Sequence, residues 1–165
     1  MKICICDDEK DFIHNFQLLL KQYSKKHKNI NQFNSFENEN DLLSYFYSQN
    51  DIDILFLDIK FQTYSGIEIA KKIRDINPSV ILIFLTSFPE YALSGYKVKA
   101  FDYLVKPLSY TQLENVLDRA ISELTSNKNN FLVVKDSGNI FKIKFSEIVY
   151  IETYNRNILF HLTSR

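Results

Sequence analysis

The stretch DILFLDIK, residues 53–60, carries four successive apolar residues, Ile54, Leu55, Phe56 and Leu57, and then stops on a carboxylate, Asp58. A short unbroken apolar run of this kind is the pattern of a strand buried on both faces, as in the interior of a parallel sheet. A carboxylate at the end of such a strand is costly to bury unless something pairs with it. Its neighbours in space therefore decide what the strand is for.

Working outward, the same arrangement recurs. KICIC (2–6) is a short apolar strand that runs into Asp7, Asp8 and Glu9; VILIFLT (80–86) runs into Thr86 and Ser87; AFDYLV (100–105) runs into Lys106 and Pro107. NINQFNSF, near 29–36, reads as a weaker strand. Between the strands, apolar residues fall at helical spacing: Phe12, Phe16, Leu19, Leu20 and Tyr23, then a helix from about Glu39 to Tyr47. Ser65-Gly66 opens a further helix through Ile67, Ile69, Ala70, Ile73 and Ile76 that Asn77-Pro78 halts. A short helix is expected from Pro89 to near Gly95, and a longer one from about Ser109 to Leu124. Strand and helix alternate five times, which predicts an α/β domain with a doubly wound, five-stranded parallel sheet.

The chain has 165 residues, enough for one well-buried domain and a little more. Its composition, 45% apolar and 24% charged, is that of a globular protein. Twenty basic residues balance 20 acidic ones. Up to Asn130 the count is 15 basic against 17 acidic, and from Phe131 to Arg165 it is five against three, too slight an asymmetry to imply nucleic acid by itself. Cys4 and Cys6, two apart in an apolar strand, read as reduced core residues. Nothing at the N-terminus resembles a signal peptide, and no segment approaches the roughly 20 apolar residues of a membrane span. The expectation is a cytoplasmic protein without a membrane partner.

In doubly wound sheets chemistry gathers at the carboxyl ends of the strands. Asp7 and Asp8, Asp58, Thr86 and Lys106 all fall there. Any one of these alone is more often a turn former, a helix cap or a solvated charge. Together they fill complementary roles. Oxygen ligands from Asp7, Asp8 and Asp58 suit a hard cation, Mg²⁺ in particular. Asp58 could then attack a phosphoryl donor, with the Thr86 hydroxyl and Lys106 ammonium stabilising the transferring oxygens.

CDDE (6–9), LFLDI (55–59), Leu85-Thr86 followed by Ser87, and AFDYLVKP (100–107), in that order and at these spacings, resemble the receiver domain of two-component response regulators. The resemblance covers residues 1–124 and implies a flavodoxin-like fold. It implies that Asp58 accepts a phosphoryl group from a sensor histidine kinase, and that Asp7 and Asp8 hold Mg²⁺ with help from the Lys60 backbone carbonyl. It also implies that Thr86 and Lys106 bind the phosphoryl group and that Tyr103 is an aromatic switch which turns inward as Thr86 moves. Read by itself, Tyr103 is a strand aromatic filling the pleated surface. Residues 88–105 read by themselves as an amphipathic helix and strand packing on the sheet, and the resemblance implies that they are also a homodimer face. Gly66, eight after Asp58, fits the family's loop; Gln62 departs from it, because receivers usually have proline four residues after the phosphoacceptor.

TSNKNN (125–130) reads as a linker, and the texture then becomes all-β. FLVVKDSGNIFKIKF forms two strands around a turn at Asp136 to Asn139, and EIVYIET and NILFHLT form two more around Tyr154 to Asn157. FKIKFSEIVYIETYNRN (141–157) resembles the beginning of a LytTR-type DNA-binding domain, which places residues 131–165 as an N-terminal part of one, apparently truncated. Arg156 and its flanking asparagines are chemically suited to base edges, and they equally suit a polar hairpin loop. Promoter DNA is the expected partner of a full-length regulator, with weak or absent binding for these residues. Two other readings stay open: a receiver acting only through protein contacts, and a phosphatase with an aspartyl nucleophile. Such phosphatases generally place a second Asp two residues after the nucleophile, where this chain has Lys60.

Overall fold

The computed structural model describes residues 1–27, 30, 32–61, 65–87, 98–129 (backbone alone at 127–129), 131–136 and 138–163. The chain divides into two compact units, Met1–Ala120 and Ile121–Arg165.

In the first unit, strands β1 (Lys2–Cys6), β2 (Gln32–Phe36), β3 (Ile54–Asp58), β4 (Ile81–Thr86) and β5 (Asp102–Val105) form one sheet in the order β2-β1-β3-β4-β5. Every pairing is parallel. This is the doubly wound order, with its switch point between β1 and β3. Helices α1 (Lys10–Lys26), α2 (Glu39–Ser48) and α3 (Gly66–Ile76) accompany it, as does α4 (Tyr110–Asn129) as far as Ala120, where the first unit ends. All residues of β3 and β4 are buried, which is why their sequences are apolar without alternation. β2 is an edge strand with half-exposed residues, and its weaker signal follows from that.

Alternate residues of the strands serve opposite faces. Phe56 meets Phe16 of α1 edge-on, with ring centroids 4.8 Å apart. On the other face Cys4, Cys6, Leu55 and Leu57 pack with Leu42 and Phe46 of α2 and with Ile69, Ala70 and Ile73 of α3. Both cysteines are free and buried; burial pushes the Cys4 thiol up to about 12 and Cys6 higher still, so neither is a reactive thiolate.

Two features tie α3 to the strands. Ser65 caps the helix, its hydroxyl accepting from the Ile67 N–H at 3.3 Å while Glu68 accepts from the Ser65 N–H at 3.3 Å. At the other end Arg74 donates to four backbone carbonyls: Val98 at 2.9 Å, Val80 at 2.6 Å, Pro78 at 3.3 Å and Lys99 at 3.0 Å.

The last helix differs from the sequence expectation. It does not stop near Leu124 but continues to Asn129, through most of the polar stretch read as a linker. That stretch contains no glycine or proline to end a helix, and Thr125 satisfies its hydroxyl by donating to the Ile121 carbonyl one turn back, at 2.7 Å. The short helix expected from Pro89 to Gly95, and Gln62, lie outside the described residues.

The second unit, taken by itself, holds two antiparallel pairs: β6 (Phe131–Asp136) with β7 (Asn139–Lys144), and β8 (Ile148–Tyr154) with β9 (Asn157–Leu162). A single 3₁₀ turn, Phe145–Glu147, stands between β7 and β8. Asn155 and Arg156 form the two-residue turn of the second hairpin, with φ of 45° and 66°. Positive φ at both central positions is what the tight turn that matches strand twist requires. Among the described residues, no helix is long and apolar enough to cross a membrane.

Gly66 closes the loop that begins after Asp58. Its N–H donates to the Ile59 carbonyl at 2.7 Å, and a Cβ there would lie 2.0 Å from the Asp58 carbonyl oxygen and 2.8 Å from Ile59 Cα. Neither backbone atom can yield without moving the end of β3. Gly66→Ala is expected to destabilise the fold by at least about 1–3 kcal/mol, measured as a lower urea midpoint at unchanged slope.

Candidate functional site

The parallel register brings four strand ends to one edge of the sheet. Asp58 pairs with Leu85, Thr86 with Val105, and the Lys106 N–H donates to the Thr86 carbonyl at 2.8 Å. Asp7 follows β1, where its N–H donates to the Phe36 carbonyl at 3.1 Å. The functional side chains thus sit on the rigid part of the fold.

Lys106 is the hub. Its Nζ lies 2.8 Å from Asp7 Oδ2, 2.9 Å from Glu9 Oε1 and 3.1 Å from Asp58 Oδ2, with only 7% of its side chain exposed. The Phe12 ring covers it from α1, 4.4 Å from ring centroid to ammonium. Burial alone would lower the lysine's pKa; the carboxylates around it outweigh that and raise it, so the ammonium is charged at any ordinary pH.

Asp7 is fully buried, Asp58 nearly so, and Asp8 is exposed. A carboxylate oxygen from each of the three lies within 4.8 Å of the others. At that separation two carboxylates repel by roughly 3 kcal/mol at an effective dielectric of about 20. One ammonium does not neutralise three such groups together with Glu9. Backbone N–H groups help: Glu9 donates to Asp7 Oδ1 at 3.0 Å and Lys60 to Asp58 Oδ1 at 3.3 Å. Asp7 Oδ2 is nonetheless buried without a hydrogen bond, its approach to Lys106 being an ion pair without hydrogen-bond geometry. Excess buried negative charge, a set of oxygen donors and an oxygen still lacking a hydrogen bond fit a small divalent cation.

The sequence-derived set Asp7, Asp8, Asp58 and Lys106 meets in one place, and Thr86, fully buried, ends the neighbouring strand. Lys60 enters through its N–H, while its side chain is exposed. Tyr103 lies on β5, partly buried against the core, its ring centroid 6.4 Å from that of Phe84. Sequence reasoning assigned no part to Glu9 beyond its place at the strand end, and none to Phe12 at the site. The available signal was that both occupy the first turn after β1, on the side of the helix that meets the strand ends.

A family model for the response regulator receiver domain matches residues 3–118. The chain belongs to that family. As a receiver it is similar to the transcriptional regulatory protein LytR of Staphylococcus aureus (strain bovine RF122), 25% identical over an alignment that takes in 99% of this chain and 70% of LytR. The sensory transduction protein LytT of Oceanobacillus iheyensis is 32% identical over 76% of this chain and 50% of its own length. The crystal structure of the response regulatory domain of protein mrkE from Klebsiella pneumoniae superposes with a TM-score of 0.67 at 26% identity, covering 76% of this chain and 99% of that domain. The LytR alignment runs through the β tail, in keeping with a receiver followed by the N-terminal part of a LytTR-type domain.

Burial pushes the Asp7 carboxyl up from its ordinary 3.8 to about 6, against the lowering effect of Lys106. Between those values the folded chain holds a proton that the unfolded chain has released, so this group favours folding as pH falls through the window and opposes it above. In chelator, Asp7→Asn is expected to melt higher than the parent at pH 7–8, with the gap closing toward pH 4. Thermal melts of both proteins across that range check it.

Proposed function

We propose that this receiver takes a phosphoryl group on Asp58 from the histidine of a sensor kinase in a Mg²⁺-dependent reaction, and thereby switches a transcriptional output. The observation that carries the reading is the meeting of Asp7, Asp8 and Asp58 around Lys106 at the strand ends. Asp7, Asp8, Asp58 and the Lys60 carbonyl would hold Mg²⁺. When bound, the ion offsets the charge of the carboxylates and of the transferring oxygens. The Asp58 carboxylate oxygen forms a bond to phosphorus as the donor's bond to phosphorus breaks, and the leaving group departs with the electron pair. Lys106 and the Thr86 hydroxyl donate to the phosphoryl oxygens, and Tyr103 turns inward as Thr86 follows them. The chain is a switch that is modified once per signal rather than a turnover enzyme.

In domain terms, residues 1–124 are the receiver, 125–130 a connector and 131–165 the start of a LytTR-type domain. Its partners are the kinase, promoter DNA for a regulator that carries the rest of the effector, and a second copy through residues 88–105. The protein acts in the cytoplasm. Turn geometry already accounts for Asn155, since asparagine tolerates positive φ, and leaves Arg156 as the side chain suited to a groove.

Acetyl phosphate with Mg²⁺ is expected to add one phosphoryl mass to the protein. Asp58→Asn or excess chelator abolishes the adduct, and Lys106→Met slows its formation roughly 10² to 10³-fold, the scale of losing one preorganised donor. Intact-mass time courses measure all three. Steady release of phosphate from a phosphomonoester would instead favour a hydrolase. In gel shifts at physiological salt the 165 residues are expected to show weak or no sequence-selective DNA binding.

A further inference from the structure

We propose that Glu9 is a positioning residue: it tethers the Lys106 ammonium through the one contact that is easily released, and so restrains phosphorylation until that contact opens. The inference rests on the reading of Asp58 as phosphoacceptor. An ammonium has three N–H donors, and Lys106 has three carboxylate neighbours, Asp7, Glu9 and Asp58. The ring of Phe12 occupies another side. Hydrogen bonds run to Glu9 and Asp58 and an ion pair to Asp7, so the ammonium is enclosed by anions and a ring, and an incoming phosphoryl group must displace one of them.

The three partners differ in how easily they let go. The Asp7 side chain is fully buried and also accepts from the Glu9 N–H; that of Asp58 is 6% exposed and accepts from the Lys60 N–H. The Glu9 side chain is 62% exposed. It can rotate into water and be solvated there at little cost. It has no competing structural duty either, because Glu9 stands at the N-cap of α1 without a side-chain capping hydrogen bond.

While the donor molecule approaches, Asp58 is not yet phosphorylated and keeps its contact with Lys106. The N–H that turns to the incoming phosphoryl oxygen is therefore the one on Glu9. The exchange trades one anionic acceptor for another and leaves the lysine charged throughout. Phe12, three residues along the same helix, keeps the ammonium from following Glu9 outward.

Two variants separate contact from charge. Glu9→Ala removes the acceptor; Glu9→Asp keeps the charge but shortens the reach and favours a helix-capping rotamer turned away from Lys106. Each is labelled with acetyl phosphate at saturating Mg²⁺, saturation being set by calorimetric titration of Mg²⁺ alone, and the adduct is followed by intact mass. Both are expected to label roughly twofold to fivefold faster than the parent, the factor corresponding to one exposed ion pair; in chelator Glu9→Ala is expected to melt with the parent, and Glu9→Asp with it or higher through the added cap. Unchanged or slower labelling by both overturns the proposal. Faster labelling by Glu9→Ala alone overturns it too, because the effect then belongs to net charge. A melt shift in Glu9→Ala leaves the decision to Glu9→Asp. A parent that takes no phosphoryl group on Asp58 overturns the phosphoacceptor reading itself, and the tether with it.

Discussion

A single buried ammonium holding together carboxylates from separate strand ends is the interaction on which this receiver depends. Lys106 reaches Asp7 after β1, Asp58 at the end of β3 and Glu9 at the head of α1, across 99, 48 and 97 residues of chain. It can do so because parallel pairing in the order β2-β1-β3-β4-β5 puts every carboxyl terminus on one edge. The apolar runs of β3 and β4 set that register: every one of their residues is buried, and a slip would expose or clash a whole strand. Hydrophobic burial supplies the frame, and the frame holds like charges closer together than they would stand in water. An acidic, under-neutralised pocket results, suited to a divalent ion and a phosphoryl group.

Much of this was legible in the residues. Strands buried on both faces announce themselves as unbroken apolar runs, and the carboxylates that end them stand out against that background. Ser65-Gly66 marks the start of α3 and Asn77-Pro78 its end, while the part of Glu68 in the cap appears only in the structure. The sequence shows Gly66 at a helix start and eight residues after Asp58; why glycine stands there, an approach too close for any Cβ, is a three-dimensional fact. Glu9 was equally opaque, because its partner is distant in sequence and a glutamate at a helix start is ordinary. The end of α4 was misjudged because polar residues without glycine or proline can sit on the solvent side of a helix as readily as in a loop.

The β tail was legible in a different way. Its hairpins follow from turn chemistry: Gly138 has φ of 88°, and Asn155 and Arg156 both take positive φ. Its burial was not. Ile140, Val149 and Ile158 are each more than 60% exposed, although alternation in the sequence gives these strands an apolar side. Two-stranded sheets have too little area to bury that side themselves, so pattern fixed the local pairing and said nothing of what covers it.

Arg74 makes a connection that does not depend on the side chains it reaches. Among the described residues its guanidinium spends its donors on the main-chain carbonyls of Pro78, Val80, Val98 and Lys99 rather than on a side chain. Substitutions at those four positions leave the acceptors in place, whereas lysine at 74 would bring a compact point charge unable to span them. The clasp therefore depends on which side chain stands at position 74 and hardly on those at the positions it grips.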